Sequence, residues 1–237
     1  ITRLKLHGQY YWVDPPLSYQ RGTLADRTPP DYSPALVIAP GTTALVPITG
    51  DGRALPRVQI QENFTVPGFD QPAQLDVLTN FSGRAAERLR AYLAQNTPED
   101  YGRYLLNFYA RAYPDITVRN PPKWEDKEGA NVIILRESYA IPQLWKLNAT
   151  TGKQEAEFFP WSLRNAVQRP DSPRRTAPLA VEYPSEIKIT TTVKLPIPWP
   201  VKAPNNVIST EAWHFQSAIS SVANVVTITY SWMTRAD

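Results

Sequence analysis

Twenty-four prolines are spread through the 237 residues, and they limit what this chain can build. Proline fixes φ and has no N–H to donate, so helices and interior strands must fit between prolines. The chain therefore reads as short elements joined by loops. Asp14-Pro15-Pro16 ends a first strand, Pro98 opens a helix and Pro114 stops it. The densest run, Leu195-Pro196-Ile197-Pro198-Trp199-Pro200, reads as an extended crossover between strands, with a polyproline-recognition segment as the alternative.

Between the prolines, apolar spacing assigns the elements. Residues 1–13 form a hairpin with His7-Gly8 at its turn. Residues 35–39 and 44–48 are short apolar runs, the first read as a buried strand, within a Pro-, Gly- and Thr-rich stretch that breaks at Gly50-Asp51-Gly52. Period-two alternation predicts strands over 58–66, 73–81, 131–140, 155–159, 187–195 and 224–232. Helical spacing over 84–94, with Ser82 as N-cap, precedes a second helix from Thr97-Pro98-Glu99-Asp100 to Pro114. Thr97 caps it, Pro98 occupies the first turn at no cost, and the acids favour its positive end. A helical turn is expected within 159–166.

The resulting expectation is an α+β fold: a mostly antiparallel sheet or sandwich with a helix pair inserted near 83–113, preceded by a terminal hairpin. Three regions follow: 1–16 as hairpin, 17–56 as connector with short strands, and 57–237 as a β-rich accessory domain. The connector's end falls near 50–56.

Several chemistries are excluded or unsupported. Without cysteine the chain has no disulfide scaffold, thiolate zinc site or cysteine nucleophile. The formal charge of +3 is spread out, with Arg174-Arg175 the one basic pair, so no nucleic-acid surface is expected. No apolar run reaches the roughly 20 residues of a membrane-spanning helix. No signal peptide opens the chain, which begins at Ile1 inside a strand and reads as a fragment. No Gly-x-Ser-x-Gly, phosphate-binding glycine loop or His-Glu-x-x-His occurs. His7 and His214 lack acidic neighbours at metal-ligand spacing, and no metal or cofactor is expected. The pairs Glu99-Asp100 and Glu125-Asp126 read as a helix start and a charged loop. The sequons at Asn63, Asn80 and Asn148 carry little weight. Trp124, Trp145, Trp161, Trp199 and Trp213 read chiefly as core plugs, with a carbohydrate or peptide platform as the alternative.

One stretch carries a resemblance. Ile1-Thr2-Arg3-Leu4-Lys5-Leu6-His7-Gly8-Gln9-Tyr10-Tyr11-Trp12-Val13-Asp14-Pro15 resembles the last hairpin of a transglutaminase-like core, in which an aromatic-x-Asp-Pro signature follows the strand bearing the catalytic histidine. Ser18 to Asp26, 85–93, 106–109, 155–160 and the last strand continue the likeness to one bacterial multidomain branch. The resemblance implies a parent acting on peptide amides through a Cys-His-Asp triad, with Asp14 as the orienting residue and the Cys and His upstream. The family's Asp-Pro-Thr is Asp14-Pro15-Pro16 here. It further implies a periplasmic or secreted location. The partners would be the upstream core of the same polypeptide and a protein or peptide ligand. The isolated chain would be an accessory region and not catalytic. The alternative is a stand-alone protein- or carbohydrate-binding β-rich module.

Overall fold

The computed structural model describes residues 1–27, 34–48, 57–166, 182–201 and 205–235. Arg174-Arg175 and the connector's end near 50–56 lie outside the described residues. Strands β1 (Thr2–Leu6) and β2 (Gln9–Val13) pair as the expected hairpin. His7 (φ 48°) and Gly8 (φ 83°) form its two-residue turn, the conformation that matches the right-handed twist of the flanking strands. β3 (Ala35–Leu36) and β4 (Leu45–Val46) make a second small pair. It is not the buried strand that its apolar run suggests: Leu36 and Leu45 are exposed, and Ile38 is 98% exposed. Two paired residues present no sheet face against which such side chains can be buried.

The body of the structure is an eight-stranded mixed sheet. Its strands are β5 (Arg57–Thr65), β6 (Ala73–Ser82), β7 (Thr117–Lys127), β8 (Val132–Ile141), β11 (Glu186–Lys194), β12 (Asn206–Ser209), β13 (Trp213–Val222) and β14 (Val225–Thr234). The spatial order is β12-β13-β14-β11-β5-β6-β8-β7. Two antiparallel blocks, β12-β13-β14-β11 and β5-β6-β8-β7, meet at one parallel pair, β11 with β5. The fold is thus β-rich α+β, with a parallel seam in an otherwise antiparallel sheet. Between the blocks in sequence lie β9 (Lys146–Leu147), β10 (Gln154–Glu155) and the short helix α3 (Trp161–Ala166).

Side-chain alternation gives this sheet a covered face. Ile60, Glu62 and Phe64 of β5 point to the same side as Leu75, Val77 and Thr79 of β6 and Leu135, Glu137 and Tyr139 of β8, because they stand opposite one another in register. The pattern crosses the seam to Ile189, Thr191 and Val193, and then to Val226 and Ile228. All of these are buried, while Gln59, Gln61, Gln74 and Asp76 on the other side are exposed. Helices α1 (Arg84–Leu93) and α2 (Pro98–Ala110) lie over the covered face, where Ala86, Leu89, Tyr101 and Leu105 pack on Ile133 and Leu135.

Thr97 caps α2 as expected, its hydroxyl accepting from the Asp100 N–H at 3.1 Å. Ser82 does not cap α1. β6 runs through Ser82, which pairs with Arg57 and Val132, so the chain leaves the sheet at Gly83 with φ 58°. Strands β7, β12 and most of β13 fall where no strand was expected. β7 carries Pro121-Pro122 and is an edge strand with two register shifts, the setting in which a sheet accepts proline. Its residues are almost all exposed, so no apolar alternation marks it.

Leu75 is fully buried in the middle of the covered face. Leu75→Ala is expected to lower unfolding free energy by about 2–5 kcal/mol in urea titration, whereas Ile38→Ala changes it by less than about 0.5 kcal/mol.

Candidate functional site

Asp14 follows β2 directly and is buried to 9% exposure. Its carbonyl accepts from the Leu17 N–H at 3.0 Å, closing the Pro15-Pro16 turn. Among the described residues its carboxylate has no hydrogen-bond donor. By alternation it shares a face with Tyr10 and Trp12, which stand opposite Lys5 and Arg3. The Arg3 guanidinium lies 3.7 Å from the Tyr10 ring centroid and 5.6 Å from that of Trp12. Extending the register by one places Ile1 opposite Asp14. His7 is at the far end of the hairpin and does not approach Asp14.

The segment after the hairpin is anchored to the sheet domain. The Gly22 N–H donates to the Glu128 carbonyl at 2.9 Å, and Arg21 pairs with the Glu128 carboxylate. Gly22 has φ 80°, and a Cβ there would sit 2.8 Å from Asp26 Cβ and 3.3 Å from Asn131 Cβ, so this approach requires glycine. Beneath it, buried Arg90 of α1 holds Asp126 of β7 with two bonds of 2.7 and 2.8 Å. Arg90 also donates to Asn131 Oδ1 at 2.5 Å and to the Tyr19 carbonyl at 3.3 Å. Asn131 in turn donates to Glu87 at 2.9 Å. Burial raises the Glu87 pKa, opposed first by the Asn131 bond and then by the charge of Arg90. Asp126 thus lies in an edge strand and pairs with a buried cation, instead of standing in the charged loop expected for Glu125-Asp126.

A second constellation lies between the helices and the sheet. It is a cavity of about 480 Å³, within the range of small-molecule sites. Ile60, Thr79, Leu135 and Glu137 form its floor, and Tyr92 of α1 with Tyr101, Tyr104 and Phe108 of α2 line its other wall. Tyr92, Tyr101 and Tyr104 form a cluster with ring centroids 5.5, 5.9 and 6.2 Å apart.

Two glutamates interrupt the apolar face of the sheet, and of these Glu137 lines the cavity. Glu62 and Glu137 lie in one row across the sheet, with Val77 of β6 between them, which separates their backbones by roughly 10 Å. Glu62 accepts from the Thr191 hydroxyl at 2.7 Å and the Tyr109 hydroxyl at 3.1 Å. Glu137 accepts from the Tyr139 hydroxyl at 2.6 Å. Desolvation pushes the Glu62 pKa up, against the lowering effect of its two hydroxyl bonds. Desolvation likewise raises Glu137 to about 7, opposed by the Tyr139 bond and reinforced by the Glu62 charge. Neither residue is among the candidates that the sequence motifs single out. Their signal was present: each occupies a position of the apolar parity in its strand, where a carboxylate needs a reason to be.

The remaining candidates are dispersed. Glu99 and Asp100 start α2, and Glu125 lies 3.8 Å from Lys127. His214 lies on β13, half-buried, with Nδ1 enclosed and unpartnered among the described residues. Among those residues no three His, Asp or Glu side chains gather as metal ligands, and no helix is long and apolar enough to cross a membrane. Trp124, Trp145, Trp161 and Trp213 are half-buried, and Trp199 is 41% exposed. Asn63 is exposed on β5, and Asn148 forms a turn by accepting from the Thr150 and Thr151 N–H groups. No family model matches this chain, and neither a curated protein nor a solved structure does.

Two measurements test these assignments. Arg90→Ala leaves Asp126 and Glu87 without their buried cation. It is expected to cost about 1–3 kcal/mol in denaturant titration and to speed amide exchange over residues 17–26. The second concerns pH. A carboxyl raised from 4.5 to about 7 makes the folded state hold more protons than the unfolded state between those values, so stability falls as pH rises through that window. For Glu137 the fall is on the order of 3 kcal/mol. Glu137→Gln is expected to flatten the pH 4.5–7 slope of unfolding free energy by that amount.

Proposed function

We propose that this chain is the C-terminal accessory region of a transglutaminase-like protein of the periplasm or cell exterior, not catalytic by itself. The observation that supports the reading is the hairpin. Asp14 stands at a strand end, buried, on the face that also carries Trp12, with no donor among the described residues. That is the setting of a carboxylate that orients an imidazole. Register adds a specific expectation. A residue two positions before Ile1 would share Asp14's face, about 7–8 Å away on the diagonal. The reading places the triad histidine one or two residues before Ile1, and the register favours the second.

The hairpin's exposure agrees with this reading. A two-stranded hairpin is marginal in water, and Ile1, Leu4, Leu6 and Tyr10 are all at least 42% exposed. A core sheet of the same polypeptide would cover them. The anchored segment at Arg21 and Gly22 would then fix the accessory domain relative to that core. The parent would attack a peptide amide with an upstream cysteine thiolate, the histidine serving as base and Asp14 holding its tautomer. The second reading, a binding module without such a parent, draws on Phe69, Trp145 and Trp199. Their rings cluster, with the two indoles stacked 6.1 Å apart.

The test is made on the full polypeptide. Its sequence upstream of Ile1 is expected to hold a cysteine and a histidine in the strand entering the hairpin. Asp14→Asn is expected to lower amide hydrolysis or transfer by on the order of a thousandfold or more while far-UV circular dichroism stays unchanged. Full activity in that variant, or an upstream strand without histidine, rejects the reading.

A further inference from the structure

We propose that the cavity between α1, α2 and the sheet binds a small organic ammonium ion, its apolar body against the helices and its charged head between Glu137 and the tyrosine cluster. The cavity is a solvent-open pocket of about 480 Å³ between the helices and the sheet, a size that takes a small organic molecule. Its walls are chiefly apolar and aromatic, and Glu137 is the carboxylate among its lining residues.

Glu137 is a carboxyl with acceptor capacity to spare. It can accept about four hydrogen bonds when ionised, and among the described residues it receives one, from Tyr139. The positive charge on the lining, Arg88, is engaged at the rim with Glu182. The cavity's interior thus presents uncompensated negative character.

The tyrosines point to the same ligand charge. Tyr92, Tyr101 and Tyr104 all line the cavity and lie within 6.2 Å of one another, centroid to centroid. Aromatic faces attract cations through their quadrupoles, and clusters of them accept ammonium groups. Tyr101 is buried while Tyr104 is 56% exposed, so the cluster runs from solvent to interior. A neutral apolar ligand would leave Glu137 desolvated and no better paired. An anion would meet Glu137. An ammonium head satisfies the carboxylate and the ring faces together.

Proton linkage follows from the groups facing Glu137. These are Glu62 on β5, Tyr139 on β8, Tyr101 and Tyr109 on α2, and, along the cavity wall, Tyr104 together with Tyr92 and Arg88 of α1. Burial raises the tyrosines Tyr101, Tyr109 and Tyr139, so they stay neutral hydroxyls near pH 7. Burial raises Glu62 too, against the lowering effect of its Thr191 and Tyr109 bonds. Glu137, near 7, is the group whose ionisation tracks binding. Ammonium affinity should therefore rise as pH increases from 6 to 8.

The experiment is calorimetric titration of the chain with phenethylammonium chloride and with its neutral analogue 2-phenylethanol. Phenethylammonium is expected to bind saturably with a Kd on the order of 0.1–1 mM, at least tenfold tighter than the alcohol. Its affinity should be about tenfold higher at pH 8 than at pH 6, since a group near pH 7 goes from about one-tenth to nine-tenths ionised. Glu137→Gln should weaken it about tenfold and abolish the pH dependence. Tyr104→Ala, at an exposed position that does not threaten folding, should weaken it several-fold. Equal affinity for the alcohol, unchanged affinity in both variants, or no saturable ammonium binding by the folded wild-type chain would overturn the proposal.

Discussion

The architecture depends on the seam where β5 lies parallel to β11. Every other pairing in the large sheet is antiparallel and lies within one block or the other. This one joins residues 129 positions apart. Glu62 stands opposite Thr191 in that pairing, and the Thr191 hydroxyl binds its carboxylate, while Tyr109 of α2 reaches down to the same group. At one end of the seam the register also sets Arg57 against Glu186, joined at 2.6 Å. One buried carboxylate therefore ties together both blocks and the helix above them. Hydroxyl partners suit this position because each can donate to a carboxylate or accept from a carboxylic acid, so the network survives protonation of Glu62.

Polar groups on an apolar face carry a cost that a plain aliphatic row would avoid. Leucine or valine at positions 62 and 137 would remove two desolvated carboxyls and their pH sensitivity. Their presence gives specificity of arrangement at the seam in one case. In the other it gives an acceptor facing a cavity. The two glutamates, alike in sequence context, differ in what surrounds them: Glu62 is held by hydroxyls from two sides, Glu137 by one.

Much of this was legible from residue order. The clean alternation from Ile187 to Leu195, the capped start at Thr97-Pro98 and the His7-Gly8 turn all appear where local chemistry put them, because each is decided by neighbours in sequence. β7 was not legible, since edge strands can accept proline and need no apolar face. The parallel seam was not legible either, because nothing local in β5 or β11 names a partner more than a hundred residues away. The cavity escaped for a related reason. Tyr92, Tyr101 and Tyr104 are residues of two separate helices, and Glu137 a residue of one strand, until the sheet register and the helix placement bring them to one space. The anchoring cluster around Arg90 likewise joins residues from the first connector, α1 and β7, and no spacing rule connects these.

The two ends of the large sheet have a consequence for how the molecule meets others. On one side, β7 breaks its own ladder with Pro121-Pro122 and two bulges. On the other, β12 offers a template of only four residues. A neighbouring chain seeking to extend the sheet finds an interrupted hydrogen-bonding row at one margin and too short a row at the other. Lateral growth into ribbons or fibres is therefore discouraged, and the molecule is left to make its contacts through its faces, its loops and the hairpin in front of it.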